Sequence, residues 1–323
     1  MRVRESLVRD LLRLVAWYPF RLAVERLPPC VALAVFRALG DIHGAIAAGK
    51  RRHLAQNLCR MGLDPGSTAR AVWENFRIHY VSQLFVFVYP RLTRKSLGEL
   101  VEFVGLEHLD AALTKGRGAV LVQAHFGPEQ LALAGLSLRG HRVMQIGCTN
   151  DTGLSAVGRG VSLRLRRRYE AGIPGEILDA RGGILPAFRV LRENGLVLSS
   201  GDGAGWARRL GRHVPVRLCG QEVLFPTGPA RMALGSGAAL LPLFVVRGKE
   251  KPFAVVIEEP IMYAEEAHMA EAFARRYERR LLDAPGFMRF LELFEPGGLI
   301  ESDGPVAIPG DTRPQSRGPS DPS

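Results

Sequence analysis

Apolar and polar positions along the chain change rhythm near residue 100. Ahead of that point the turn Leu63-Asp64-Pro65-Gly66-Ser67-Thr68 ends in a helix cap, and the spacing beyond it predicts a long helix over 69–89. After residue 100, strand-like apolar runs stand at 119–122, 142–146, 196–200, 239–246 and 254–258. Helix-patterned stretches at 107–115, 129–137, 158–171, 182–193 and 229–234 alternate with them. Strand and helix in alternation predict an α/β protein with a largely parallel central sheet flanked by helices. Two last helices, over 264–282 and 286–294, are expected to cover that sheet.

The first residues form a two-sided pattern. Arg2, Glu5, Arg9, Asp10 and Arg13 share one helical face, with Val3, Leu7, Leu11, Leu14 and Val15 mostly opposite, and Trp17, Tyr18 and Phe20 follow. A second apolar stretch over 27–36 contains Pro28 and Pro29. No uncharged apolar run reaches the roughly 18 residues of a membrane span, and no cleavage signature follows a signal-like core. The pattern fits an interfacial helix, so residues 1–62 read as an N-terminal helical, membrane-associating region. Residues 63–300 read as the α/β domain. From Glu301 the chain turns to Pro, Gly, Ser, Asp and Arg, too polar to offset its ordering entropy, and 301–323 is expected to be disordered.

Charge narrows the partners. The chain of 323 residues carries a formal net charge of +11, which favours anionic surfaces. Aromatics are only 7% and are not interleaved with basic residues, which ranks a membrane or an acidic substrate above nucleic acid. Cys30, Cys59, Cys148 and Cys219 lie far apart without metal-ligand spacing and read as free thiols in a reducing compartment. No metal-binding pattern is found either.

Candidate chemistry gathers at strand ends. The run Val120-Leu121-Val122-Gln123-Ala124 leads into His125, then Phe126 and a Gly127-Pro128 turn, then helix formers from Glu129. An imidazole at such a junction sits where open α/β sheets place catalytic groups. Gly201-Asp202-Gly203-Ala204-Gly205 follows the run 196–200 without a helix behind it, so it reads as a second catalytic loop, with Asp202 at a strand end and Arg208, Arg209 and Arg212 nearby. Arg159, Arg164, Arg166, Arg167 and Arg168 crowd one predicted helix with no carboxylate before Glu170, an arrangement suited to phosphate. Phe225-Pro226-Thr227-Gly228-Pro229-Ala230-Arg231 turns into a short helix whose free N–H groups attract anions.

Four blocks then occur in fixed order. They are Gly105-Leu106-Glu107-His108-Leu109-Asp110, His125-Phe126-Gly127, Phe225-Pro226-Thr227-Gly228-Pro229-Ala230, and Leu241-Pro242-Leu243-Phe244-Val245-Val246-Arg247. Over about residues 10–295 the chain resembles the bacterial lipid A late acyltransferase family. That family includes the lauroyl and myristoyl transferases and their mycobacterial phosphatidylinositol mannoside relatives, within the glycerophospholipid acyltransferase superfamily. The resemblance implies transfer of an acyl chain from a thioester of coenzyme A or acyl carrier protein to a hydroxyl of a lipid or glycolipid. It also implies a peripheral place on the cytoplasmic face of the inner membrane, with no metal or redox cofactor. His125 would be the general base; Thr227, Gly228, Arg231 and Arg247 would meet acceptor phosphate or polarise the carbonyl, and Arg159 and Arg164 would contact acceptor or carrier.

One position departs from the pattern. The family sets Asp or Glu five places beyond the histidine; here Gln130 stands there and Glu129 one place earlier. On a helix that step turns a side chain by about 100°. Three arrangements are open: Glu129 serves through a local shift of the turn, Gln130 orients the ring while Asp202 supplies charge, or the dyad is degraded. The last would leave a catalytically impaired lipid-surface binding protein with the same fold.

Overall fold

The computed structural model describes residues 5–147, 153–203 and 211–294. The tail 301–323, Cys148, Arg208 and Arg209 lie outside the described residues. Nine strands are described: β1 Val101–Val104, β2 Ala119–Gln123, β3 Val143–Gly147, β4 Glu176–Asp179, β5 Leu196–Ser200, β6 His213–Leu218, β7 Gln221–Pro226, β8 Ala239–Arg247 and β9 Phe253–Ile257. Seven form one sheet in the order β1-β9-β8-β2-β5-β3-β4, and β6 with β7 forms a separate antiparallel hairpin. Every pairing in the large sheet is parallel except β8 with β9.

All five residues of β2 are buried, as a strand covered on both faces by helices requires. β5 lies on one side of it, Ala119 opposite Leu196 and Gln123 opposite Ser200, and β8 on the other, with Gln123 opposite Leu243. The chain leaves β2 for β3, two places away, and later lays β8 against the opposite edge of β2. The crevice of such a sheet opens at the carboxyl ends of these central strands.

The five apolar runs all become strands of this sheet. β1 and β4 carry no comparable signal, because each is four residues long and half-exposed. The hairpin also departs from expectation, since Phe225-Pro226 reads as a turn and is instead the end of β7. Cys219 and Gly220, both at positive φ (49° and 73°), form its tight turn.

The amino-terminal helices are Leu7–Val15, Arg21–Val24, Pro29–Ile46, Ala48–Arg60 and Pro65–Leu84. Asp64 caps the last, its Oδ1 accepting from the N–H groups of Gly66 and Ser67 at 2.9 and 3.0 Å, so that helix starts at Pro65 and gives way to 3-10 turns after Leu84. Trp17, Phe36, Phe76 and Phe85 join the same continuous core as the sheet residues, so the division near residue 62 separates no independent core. On Leu7–Val15 the polar face points into the protein. Arg13 pairs with Glu5 and Asp10, and Ser155 donates to Asp10 at 2.6 Å. Leu7, Val8, Leu11 and Leu12 face out, Leu7 with 89% of its surface exposed. Pro29–Ile46 is 18 residues long and, by length and composition, apolar enough to cross a membrane.

The stretch 286–294, expected to be helical, is instead a strap across the carboxyl end of β2. Two short 3-10 turns, Pro285–Phe287 and Leu291–Leu293, flank an extended link. The N–H of Gly127 donates to Phe287 O at 2.8 Å and that of Arg289 to His125 O at 2.9 Å, with Phe126 bridged to Met288. Two buried asparagines hold its carbonyls. Asn75 Nδ2 donates to Met288 O at 2.6 Å and Gly286 O at 3.3 Å, and Asn57 Nδ2 to Leu291 O at 2.9 Å. Buried backbone must find partners somewhere, and here long-range amides supply them where a helix ladder does not. Asn75→Ala removes both donors of the first set and is expected to lower stability by about 1–3 kcal/mol in urea unfolding. An unchanged midpoint would show that the strap does not depend on this amide.

Candidate active site

Adjacent parallel strands end side by side, and each is followed at once by a functional group. Two residues beyond β2 stands His125; two beyond β5 stands Asp202. The N–H of Gly201 donates to Gln123 O at 2.8 Å, extending the strand pairing to the very edge of the site. Gly201 has no room for a side chain, because a Cβ there would stand 2.5 Å from Val122 Cγ2 and 2.7 Å from the Phe273 ring.

Asp202 then grips His125 twice. Its Oδ2 accepts from the His125 backbone N–H at 2.7 Å, and its Oδ1 lies 2.9 Å from Nδ1 of the ring. Asp202 is 1% exposed, whereas the imidazole keeps 18% of its surface open. A carboxylate at Nδ1 makes that nitrogen the N–H donor, leaving the lone pair on Nε2. Nε2 has no hydrogen-bond partner among the described residues. Burial works against a charged ring, but the charge and hydrogen bond of Asp202, joined by the charge of Glu129, outweigh it and raise the His125 pKa. Phe290, itself at a left-handed φ of 59°, sets its ring edge-on to the imidazole at 5.2 Å.

The residues next to His125 divide between two other partners. Glu129 pairs with Arg289 of the strap, and burial of its carboxylate is outweighed by the charges of Arg289 and His125, so it stays ionised below the usual range. It reaches the ring only through its field. Gln130 points elsewhere: its amide donates to Glu170 at 3.4 Å, and Arg166 holds the same carboxylate oxygen at 2.7 Å. The expectation that Gln130 orients the ring is therefore corrected. The first residue of its helix, Gln130 turns to Glu170 at the end of the arginine-rich helix Arg164–Glu170.

A family model described as bacterial lipid A biosynthesis acyltransferase matches residues 9–287, a span that takes in His125, Asp202 and the start of the strap. The chain belongs to that family. It is 30% identical over 218 residues to a phosphatidylinositol mannoside acyltransferase of Mycobacterium tuberculosis H37Rv, covering 64% of each chain. A protein of the same name from Mycolicibacterium smegmatis is 30% identical over 225 residues, covering 68% of this chain and 70% of that one. The matched part thus spans just under two thirds of the M. tuberculosis relatives.

Other residues singled out in the sequence fall at varied distances from this acyltransferase-family centre. Thr227 is fully buried, its N–H donating to Arg212 O at 2.9 Å, and Gly228 opens the helix Gly228–Ser236. This block abuts the Asp202 loop, since a Cβ on Gly203 would lie 3.3 Å from Pro226. Arg231 pairs with Glu266 at 3.3 Å, and Arg247, the last residue of β8, pairs with Glu74. Arg159 donates to Leu154 O at 2.6 Å; Arg164 is exposed and makes no ion pair among the described residues. Arg289 and Phe290 were not visible to pattern reading, because they lie in a stretch that reads as a covering helix.

Gly127 makes the whole arrangement possible. It sits at a φ of 66°, and a Cβ there would stand 2.4 Å from Val245 O and 2.9 Å from Phe287. Gly127→Ala is therefore expected to cost at least about 2 kcal/mol, the left-handed backbone penalty plus the collision, and to displace the His125 turn. Thermal unfolding checks the first, and wild-type stability would contradict it.

Proposed function

We propose that this protein is an acyltransferase that moves a fatty acyl chain from a thioester of coenzyme A or acyl carrier protein to a hydroxyl of a membrane lipid or glycolipid. The observation that carries this reading is the buried Asp202 carboxylate on Nδ1 of a histidine whose Nε2 meets no hydrogen-bond partner among the described residues. Nε2 takes the proton of the acceptor hydroxyl as its oxygen attacks the thioester carbonyl. The tetrahedral intermediate collapses by breaking the carbon–sulfur bond, and the imidazolium returns its proton to the departing thiolate. Asp202 stabilises the charged ring between those steps. Metal and redox chemistry are not needed in this sequence of steps, and the name of the mycobacterial relatives, phosphatidylinositol mannoside acyltransferase, gives the glycolipid class to try first.

The alternative of an impaired lipid-binding protein draws on Gln130 at the family's carboxylate position. Asp202 favours the acyltransferase reading over it, because the ring has a carboxylate partner whatever stands at 130. The outward apolar side of Leu7–Val15 supports a peripheral seat on the membrane, while Gly40 and Gly44 of Pro29–Ile46 pack on the helix Pro65–Leu84.

His125→Ala is expected to lower acceptor-dependent thiol release from a long-chain acyl thioester by at least about 100-fold; unchanged turnover would sink the mechanism. The pH dependence has a defined sign. The base works as the neutral ring and its pKa is raised, so kcat/KM falls as pH drops through a value above the ordinary 6.5. Asp202→Asn should move that acidic limb to lower pH while reducing the maximal rate. A limb that stays in place would mean that Asp202 does not set the titration.

A further inference from the structure

A second cluster of charge lies on the far side of the strap. From Cys30 to Ile46 every exposed position of the helix is uncharged, among them Val31, Ala34, Ala38, Ile42 and Ile46. Where that helix turns inward, Arg37 and Asp41, one turn apart, flank Gly40. Gly40 meets the helix Pro65–Leu84 backbone to backbone: a Cβ there would stand 2.6 Å from Arg77 Cα and 2.7 Å from Phe76 O. This crossing lays Arg77 against Asp41, Nε to Oδ1 at 2.6 Å. One turn earlier on the same helix, Glu74 pairs with Arg247 from the end of β8.

Both carboxylates of the cluster are thus engaged, one by Arg77 and one by Arg247. Arg37 is half-buried and makes no hydrogen bond or ion pair among the described residues. Burial lowers its pKa, and the neighbouring charges of Arg247 and Arg77 add to that against the weaker pull of Glu74 and Asp41. A guanidinium partly withdrawn from water, with like charges around it, is stabilised when an anion joins it. Arg77 and the exposed Arg247, each already paired with a carboxylate, bring further N–H groups from two other elements beside it, and guanidinium forks engage phosphate oxygens two at a time.

We propose that Arg37, Arg77 and Arg247 form a binding site for the headgroup phosphodiester of an anionic membrane lipid. The site rests on the reading that the protein sits on a membrane, and it is separate from the acyl-transfer centre. Gly286 packs on Glu74 from one side of the strap, while Phe287 and Arg289 bond the His125 turn from the other. The apolar face carrying Val31 and Ile42 is on the same helix as Arg37, so a lipid whose chains meet that face has its phosphate at the depth of the arginines.

Co-sedimentation of the full chain with phosphatidylcholine vesicles, and with vesicles rich in phosphatidylglycerol, tests this without any turnover. Arg37→Gln is expected to weaken binding to the phosphatidylglycerol vesicles about fivefold, and Arg37→Lys to restore part of it. Arg217→Gln, an equal loss of charge on the exposed hairpin, should have little effect. Equal losses from Arg37→Gln and Arg217→Gln, or none from the former in a protein of wild-type melting temperature, overturn the site and leave membrane association standing. Wild-type protein that binds neither vesicle overturns membrane association itself. If free glycerol 3-phosphate raises the melting temperature of wild type but not of Arg37→Gln, while vesicle binding ignores Arg37, the site takes a soluble phosphate and the lipid assignment fails.

Discussion

The parallel pairing of Ala119–Gln123 with Leu196–Ser200 is the constraint on which the site depends. Register alone decides that His125 and Asp202 leave the sheet side by side, because each follows its strand by two residues. A slip of one residue would turn every side chain of β2 to the opposite face and carry the imidazole away from its carboxylate. The strand's uninterrupted burial makes such a slip costly. The dyad is a property of the sheet core as much as of the two loops.

A second layer of control comes from the strap. It pairs with the backbone on both sides of Phe126, supplies Arg289 to Glu129, and sets Phe290 against the imidazole. Buried asparagines from two amino-terminal helices hold it there, so helices remote from the strand ends fix the geometry around His125. Glu129 is one member of this arrangement. Its charge favours a protonated ring, while its contact is spent on Arg289. The family's missing carboxylate at position 130 matters less than the sequence comparison suggests, since the same orienting task falls to a residue 77 positions away.

How much of this was legible in the chain follows from the range of each interaction. The central strands showed themselves because buried parallel strands are continuous apolar runs, and His125 and Asp202 because each directly follows one. One of three open arrangements gave Asp202 the charge but left Gln130 to orient the ring; that Asp202 does both was not legible, for strand order is not written in local pattern. Gln130 was misplaced because helical phase at a first turn depends on how the Gly127-Pro128 bend enters it. The strap was misread as a helix: its helix-like composition says nothing of carbonyls claimed by Asn57 and Asn75, more than 200 residues earlier. Arg37 stands just past the apolar stretch 27–36 and carries no signal of its own, because the crossing at Gly40 that brings Arg77 to its helix is a tertiary contact.

The central claim is that Asp202 fixes the tautomer of His125 and raises its pKa, leaving Nε2 as the base. Nitrogen-15 NMR of histidine-labelled protein, with His125 assigned by substitution, reads both quantities at once. The account predicts a proton on Nδ1 and none on Nε2 in the neutral ring, and a titration above 6.5 that drops in Asp202→Asn. A neutral ring protonated on Nε2, or a titration indifferent to the loss of Asp202, would contradict it.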